Sequence, residues 1–280
     1  MNGGLFNHCV HLSRQEGQSK LLGNKNAVIY GGGGSIGGTV AREFSREGAS
    51  IFLVGRTREN LEAVANDIKA DGGAAEVAVL DALDEQAVDE HAQAVISQAG
   101  SIDVSFNLIT RGDVQGIPLI DMSADDLLRA VVNGLRSNFV TARAAARRMV
   151  EQGSGVILAL DSGSANGSPM MGSTGPADAA TDTFIRNLAA EIGPRGVRVV
   201  GIWTAGLPET FSQEKLAAVD SKFRDEAAFQ GLIENLDRMR MTRRSPRLAE
   251  VAATAAFLAS ERAGAITGTF VNVTSGMFSS

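Results

Sequence analysis

The chain has 280 residues and a single cysteine, Cys9, so no disulfide can form within it. It contains no run approaching the roughly 18 consecutive apolar residues that a membrane-crossing helix requires, and no membrane partner is expected. Lysine and arginine number 26 against 32 aspartates and glutamates, a formal charge of −6. That balance leaves no positive surplus to neutralise a phosphate backbone, which argues against nucleic acid as a partner. Histidines are scarce too, and two of the three, His8 and His11, flank Cys9 near the start. Their spacing is not that of a recognisable metal site and no fourth ligand accompanies them, so no metal is expected. The one tyrosine, Tyr30, falls at the start of the domain. Residues 1–19 lack the apolar segment of a secretory signal, and we read them as a flexible N-terminal leader before one domain over 20–280, in a cytoplasmic protein.

What is present is an ordinary globular composition, 44% hydrophobic and 21% charged, in a length suited to one α/β domain. Short apolar or β-branched runs alternate with longer helical patterns, the rhythm of a parallel sheet with helices on both faces. Strands are predicted at Ala27 to Gly31, Ser50 to Val54, Ala74 to Leu80, Ile102 to Asn107, Gly155 to Leu160, Val197 to Trp203 and Thr269 to Val273. Seven such strands make a doubly wound, Rossmann-type α/β sheet in a single domain. Leu127, Val131, Leu135 and Phe139, and then Phe184, Leu188 and Ile192, recur at helical spacing and should each turn one face to the sheet. The alanines at 144–146, 189 and 190 would permit close helix contacts within or between subunits. The amphipathic stretch 208–247 follows the sixth strand and is read as a substrate lid, whose Phe211, Phe223 and Phe229 suggest an apolar ligand.

After the first strand comes a glycine cluster from Gly31 to Gly38, interrupted by Ser35 and Ile36, and then a helical run. Such a turn needs residues that tolerate positive φ and lack a Cβ, so that a pyrophosphate can approach backbone N–H groups at the helix N-terminus. Gly31, Gly33, Gly34, Ser35, Ile36 and Gly37 are therefore assigned to a dinucleotide. The second strand ends in Val54, Gly55, Arg56, Thr57 and Arg58, without the acidic side chain that would take the ribose hydroxyls of NAD(H). A guanidinium there can clamp a 2′-phosphate, so Arg56 with Thr57 favours NADP(H) over NAD(H).

From about Leu21 onward the chain resembles the short-chain dehydrogenase/reductase superfamily. Its TGxxxGxG motif is matched by Tyr30 to Gly37, with departures at the first position and the middle glycine. Asp81 and Ala82 resemble the family's adenine-contacting Asp-Val pair, and Asn107 matches the first residue of its NNAG motif, whose other three positions are Leu108, Ile109 and Thr110. Arg195 to Val199, Arg243 to Val251, Phe257 to Ser260 and Ile266 to Gly276 are similar to the family's later segments. Thr210 matches a position that holds the nicotinamide amide. The resemblance implies a homodimer or homotetramer built on the helices near 127–150 and 174–192, and a small-molecule substrate.

It also implies a serine, tyrosine and lysine at the catalytic centre. Ser162 fits the serine, whereas alignment on Asp182 to Glu191 places Thr174 at the tyrosine position and Asp178 at the lysine position; the family's asparagine falls on Gly134, beside Asn133. Thr174 and Asp178 are four residues apart and share a helix face. Threonine is too weak an acid to replace a tyrosine, but a carboxylate of tuned pKa can shuttle protons or stabilise a cation. The expectation is an atypical NADP(H)-dependent oxidoreductase that reduces an iminium or an activated C=C or C=O acceptor. Ser162 would donate a hydrogen bond, with Asp178 and Asp161 as polar groups. Two alternatives stand beside it: a catalytically silent NADP(H)-binding sensor or partner subunit, and a non-redox cyclase or isomerase on the same scaffold.

Overall fold

The computed structural model describes residues 20–219 and 221–278. The segment read as a leader, with His8, Cys9 and His11, lies outside them. Seven strands form one parallel sheet: β1 Asn26–Tyr30, β2 Ser50–Gly55, β3 Ala75–Val79, β4 Val104–Asn107, β5 Gly155–Asp161, β6 Val197–Trp203 and β7 Thr269–Asn272. Their spatial order is β3-β2-β1-β4-β5-β6-β7. Parallel neighbours need crossovers over a face, which the helices supply: α1 Ser35–Arg46, α2 Arg58–Ala70, α3 Glu85–Ala99, α4 Ala124–Gln152, α5 Thr174–Ile192, α6 Gln213–Val219, α7 Glu226–Met239 and α8 Leu248–Ala259. The sequence reading located all seven strands, with ends shifted by two residues at most.

Strand side chains alternate between two cores. Ile29, Ile51, Leu53, Phe106, Leu158 and Ile202 face α1, α2 and α8, while Val28, Tyr30, Val54, Ile157, Val199 and Trp203 face α3, α4 and α5. Each such side chain contributes about 1.5–3 kcal/mol by leaving water. Helix ends carry local stop signals that fix where the crossovers turn. Ser123 caps α4 by accepting from the Asp126 N–H, and Gly153 closes it in the left-handed region at φ 73°.

The 29-residue α4 differs from expectation in which face it buries. Ala130, Gly134, Ser137, Asn138, Thr141, Ala145 and Met149 are buried, whereas Leu135 and Phe139 are exposed by 37% and 44% and Leu128 and Val132 by more than half. Small residues let the helix lie close to the sheet, so the larger apolar row is displaced to the outer flank. In α5 the buried face is Ala177, Thr181, Ile185 and Ala189, with Phe184, Leu188 and Ile192 half-buried beside it. Phe139 meets Phe184 edge-on at 6.1 Å, joining the two flanks.

Stretch 208–247 holds α6, α7 and two short 3-10 turns, and no residue of α7 is fully buried. Its end is pinned by Arg240, 1% exposed, whose guanidinium donates to the carbonyls of Thr274, Ala205 and Gly206. Phe211, Phe223 and Phe229 are half-buried.

Candidate active site

Strand order reverses between β1 and β4, and the carboxyl ends of these two strands open a crevice where α/β sheets take ligands. Gly31 leaves β1 there at φ +80°, and a Cβ on it would stand 2.5 Å from the carbonyl oxygen of Leu108, the residue just after β4. A Cβ on Gly37 would meet the Gly31 carbonyl oxygen at 2.2 Å, so the loop closes onto α1 only with glycine at both places. The first-turn amides of α1, beginning at Ser35, have no intrahelical acceptor and no side-chain cap from Gly34. This cradle, with the positive end of a helix behind it, suits a diphosphate.

A cleft of about 450 Å³ extends from the loop, lined by Gly31, Gly33, Gly34, Gly55, Arg56, Thr57, Asp81, Ala82 and the segment from Leu108 to Gly112. Arg56 and Thr57 are exposed at its rim. Asp81 holds its turn by accepting from the Leu83 N–H at 3.0 Å. Adjoining it on the β5 and β6 side lies a second, inner cavity of about 290 Å³, lined among others by Ile36, Asn107, Ser137, Asp161, Ser162, Thr174 and Thr204. Asn107 is fixed there by donating to the Ser137 hydroxyl at 3.1 Å and accepting from the Ile109 N–H at 3.2 Å. Thr210 lines neither cavity, and its hydroxyl donates to the Leu207 carbonyl. Thr204, whose buried hydroxyl has no partner, occupies that end of the inner cavity instead. The three phenylalanines of 208–247 line neither cavity.

Asp178 is completely buried and lies behind the cavity wall. One carboxylate oxygen accepts from the Ser162 hydroxyl at 2.5 Å, the Ser162 N–H at 3.2 Å and the Ser164 N–H at 2.9 Å; the other accepts from Arg111 Nη1 at 2.9 Å. The carboxylate thereby ties the turn after β5 to α5, and these donors compensate its burial. The Ser162 hydroxyl, read from sequence as a donor toward substrate, directs its proton into Asp178. It also lies 2.6 Å from the Ser164 hydroxyl. Thr174, 2% exposed, accepts from the Gln115 amide at 2.9 Å, which leaves its own proton available.

Arg111, from the loop after β4, lines both cavities. Besides Asp178 it holds Asp113 side-on, with Nη2 at 2.8 Å and Nε at 3.3 Å. Burial works against its charge, but the two carboxylates outweigh that and raise its pKa. A Cβ on Gly134 of α4 would come within 2.6 Å of Arg111 Cδ, so a side chain at 134 would force Arg111 off its present path. The Asn133 amide holds the Arg111 carbonyl at 3.2 Å. Arg111, Asp113 and Gln115 lie in a loop with no periodic pattern, and sequence reasoning passed over them. The available signal was Gly134 in the middle of a long helix.

Asp161 ends β5, 3% exposed, with one oxygen accepting from the Gly163 N–H and the other without a donor. Burial, followed by the nearby charges of Asp178 and Asp182, pushes its pKa up to about 9. Both effects favour its neutral, protonated form. Tyr30 is buried in β1 with its pKa raised by burial and by Asp89, and it sits among core residues facing α3 and α4. It is not an acid for either cavity. Among the described residues, no group of three or more histidine, cysteine, aspartate or glutamate side chains could hold a metal ion, and no helix is long and apolar enough to cross a membrane.

A doubly wound parallel sheet with a glycine cradle at its switch point defines a dinucleotide-binding scaffold. The comparisons with known proteins sharpen that class. A family model described as enoyl-(acyl carrier protein) reductase matches residues 32–278. The chain is 30% identical over 270 residues to L-rhamnose 1-dehydrogenase (NAD(P)(+)) of Azotobacter vinelandii, covering 92% of this chain and 98% of the relative. It is 32% identical over 182 residues to 7alpha-hydroxysteroid dehydrogenase of Escherichia coli K12, covering 65% and 70% respectively. Among solved structures, NAD+-bound xylitol dehydrogenase shares the fold with a TM-score of 0.81 at 24% identity, over 91% of this chain and 99% of that one. The chain belongs to the short-chain dehydrogenase/reductase superfamily of oxidoreductases.

Proposed function

We propose that this protein is an atypical NADP(H)-dependent reductase acting on a C=O or conjugated C=C group of a small molecule. The observation that carries the cofactor reading is the glycine cradle at the switch point, with Arg56 and Thr57 at the cleft rim. Gly31, Gly33, Gly34 and the first turn of α1 with Ser35 would hold the diphosphate. Asp81 and Ala82 would flank the adenine and Arg56 the 2′-phosphate. When bound, the reduced nicotinamide supplies a hydride.

The acceptor reading follows from the polar groups of the inner cavity. Thr174 and Thr204 bring hydroxyl donors and Asp161 brings a carboxylic acid, whereas the carboxylates of Asp113 and Asp178 are both engaged by Arg111. Such a lining suits an oxygen that gains charge better than an iminium cation. Reduction of such an acceptor would leave charge on its oxygen and would need a proton to complete the product. Asp161 is the group that holds such a proton at neutral pH, with solvent replacing it. Asp178 and Ser162 are assigned the task of fixing the turn, and 208–247 that of a lid over the substrate. The exposed apolar flank of α4, with Phe139 against Phe184, supports assembly into a homodimer or homotetramer.

Calorimetric titration of the cofactor-free protein with NADPH and NADH at one salt concentration tests the cofactor, and transfer of deuterium from 4-deuterated NADPH to enone and ketone panels tests the reaction. Absence of binding by either nucleotide would overturn the proposal. Binding without transfer to any acceptor would favour the silent, cofactor-sensing alternative.

A further inference from the structure

Arg111 makes three hydrogen bonds with three of its five N–H donors, which leaves two without a partner in the structure. Its side chain is 13% exposed, and what it exposes lies where the outer cleft and the inner cavity meet, since both are lined by it. Two carboxylates and a backbone anchor hold it there, and α4 gives way to it at Gly134. An arginine that served only to neutralise Asp178 would need neither the second carboxylate nor a place on both walls.

The carboxylates also limit what Arg111 can take. Together the three side chains carry one net negative charge, which disfavours a further anion and leaves two donors for uncharged oxygen acceptors. We infer that Arg111 is a positioning residue that seats the sugar hydroxyls of the nicotinamide half of the bound dinucleotide at the junction of the two cavities. The inference rests on the cofactor reading above. It assigns to a loop residue, through Asp178 and Gly134, the placement of the sugar that carries the reacting ring.

The test compares two probes, NADPH and adenosine 2′,5′-bisphosphate, which keeps the adenosine end and lacks the second sugar. R111M alone would strand the buried Asp178, so the working variant is R111M/D178N, checked for a cooperative thermal transition, with R111K as the conservative partner. The expected result is NADPH binding about tenfold or more weaker in R111M/D178N, with bisphosphate binding unchanged and partial recovery of NADPH binding in R111K. Unchanged NADPH binding would overturn the inference. So would a parallel weakening of both probes, the mark of a general structural role. If the unsubstituted chain binds neither probe, the cofactor reading fails and takes this inference with it, a result distinct from one seen only in the variant.

Discussion

Replacing Asp178 with alanine removes the acceptor of four hydrogen bonds at once, three from the turn after β5 and one from Arg111. Two backbone N–H groups and a hydroxyl then lack their partner, and a largely buried guanidinium keeps only Asp113. Breaking one side of a buried ion pair costs about 3–5 kcal/mol. For a domain of this size roughly 2–4 °C of Tm accompany each kcal/mol, so Asp178→Ala should melt about 6–20 °C lower. R111M/D178N removes both charges while the asparagine carbonyl can still accept from the turn, and it should lie within about 2 kcal/mol of the unsubstituted protein. The coupling of the pair is read from the cycle of the parent, R111M, D178N and R111M/D178N, whose double variant should be less destabilised than the sum of the two single ones. Urea and thermal unfolding followed by circular dichroism at pH 7 give these four corners and the Asp178→Ala value. An Asp178→Ala protein within about 1 kcal/mol of the parent would refute the claim that this carboxylate organises the site, because surface substitutions routinely fall in that range.

Three further outcomes follow from other parts of the molecule. Arg56→Asp should lower NADPH affinity by about tenfold or more and raise the relative affinity for NADH, read by fluorescence titration; an unchanged ratio would remove Arg56 from the 2′-phosphate site. Asp161 keeps its proton in the folded chain up to about pH 9, while the unfolded chain releases it near the ordinary 3.8. The folded state therefore binds more protons across that window, and stability should fall as pH rises through it and level off above. Asp161 faces Asp178 and Asp182, themselves paired with Arg111 and Arg186, and Asp161→Asn should flatten the decline in urea midpoints between pH 6 and 9. A slope identical to the parent's would place the titrating group elsewhere. Finally, L135E/F139E charges the exposed flank of α4 and should convert an oligomer to monomers in light scattering without unfolding the chain, since both residues are more than a third exposed. An unaltered oligomer mass would move the interface off this flank.

The sheet was legible because its signals are local: an apolar run of four to seven residues, a turn, then a helix. Glycines at 31 and 37 were legible for the same reason, since the turn they permit is set by the residues on either side. The buried face of α4 was misread because periodicity reports where large apolar side chains fall, not which face is closest to the sheet. Ala130, Gly134 and Ala145 pack nearer than Leu135 or Phe139 because they are small, and hydrophobic size points the wrong way there. The inner cavity was hardest to read. Thr174, Ser162 and Asp178 could be placed by likeness to a family motif, but that motif says nothing about Arg111, 67 residues earlier than the aspartate it pairs with.

Arg111, Gly134 and Asp178 depend on one another. A carboxylate at 178 would be buried without its counter-charge if Arg111 were absent. An arginine at 111 would be forced off its present path if residue 134 carried a Cβ. A glycine at 134, in the middle of a 29-residue helix, costs about 1 kcal/mol relative to alanine and is compensated only by what it admits. Each residue without the other two would be unfavourable, and the combination gives a buried, paired and anchored cation. The cation comes from the loop after β4 and reaches across to α5. Lysine at 178 alone would therefore set two cations against each other beside Ser162 and should destabilise the fold. A chain that tolerated Asp178→Lys without loss of thermal stability would show that the three positions are independent after all.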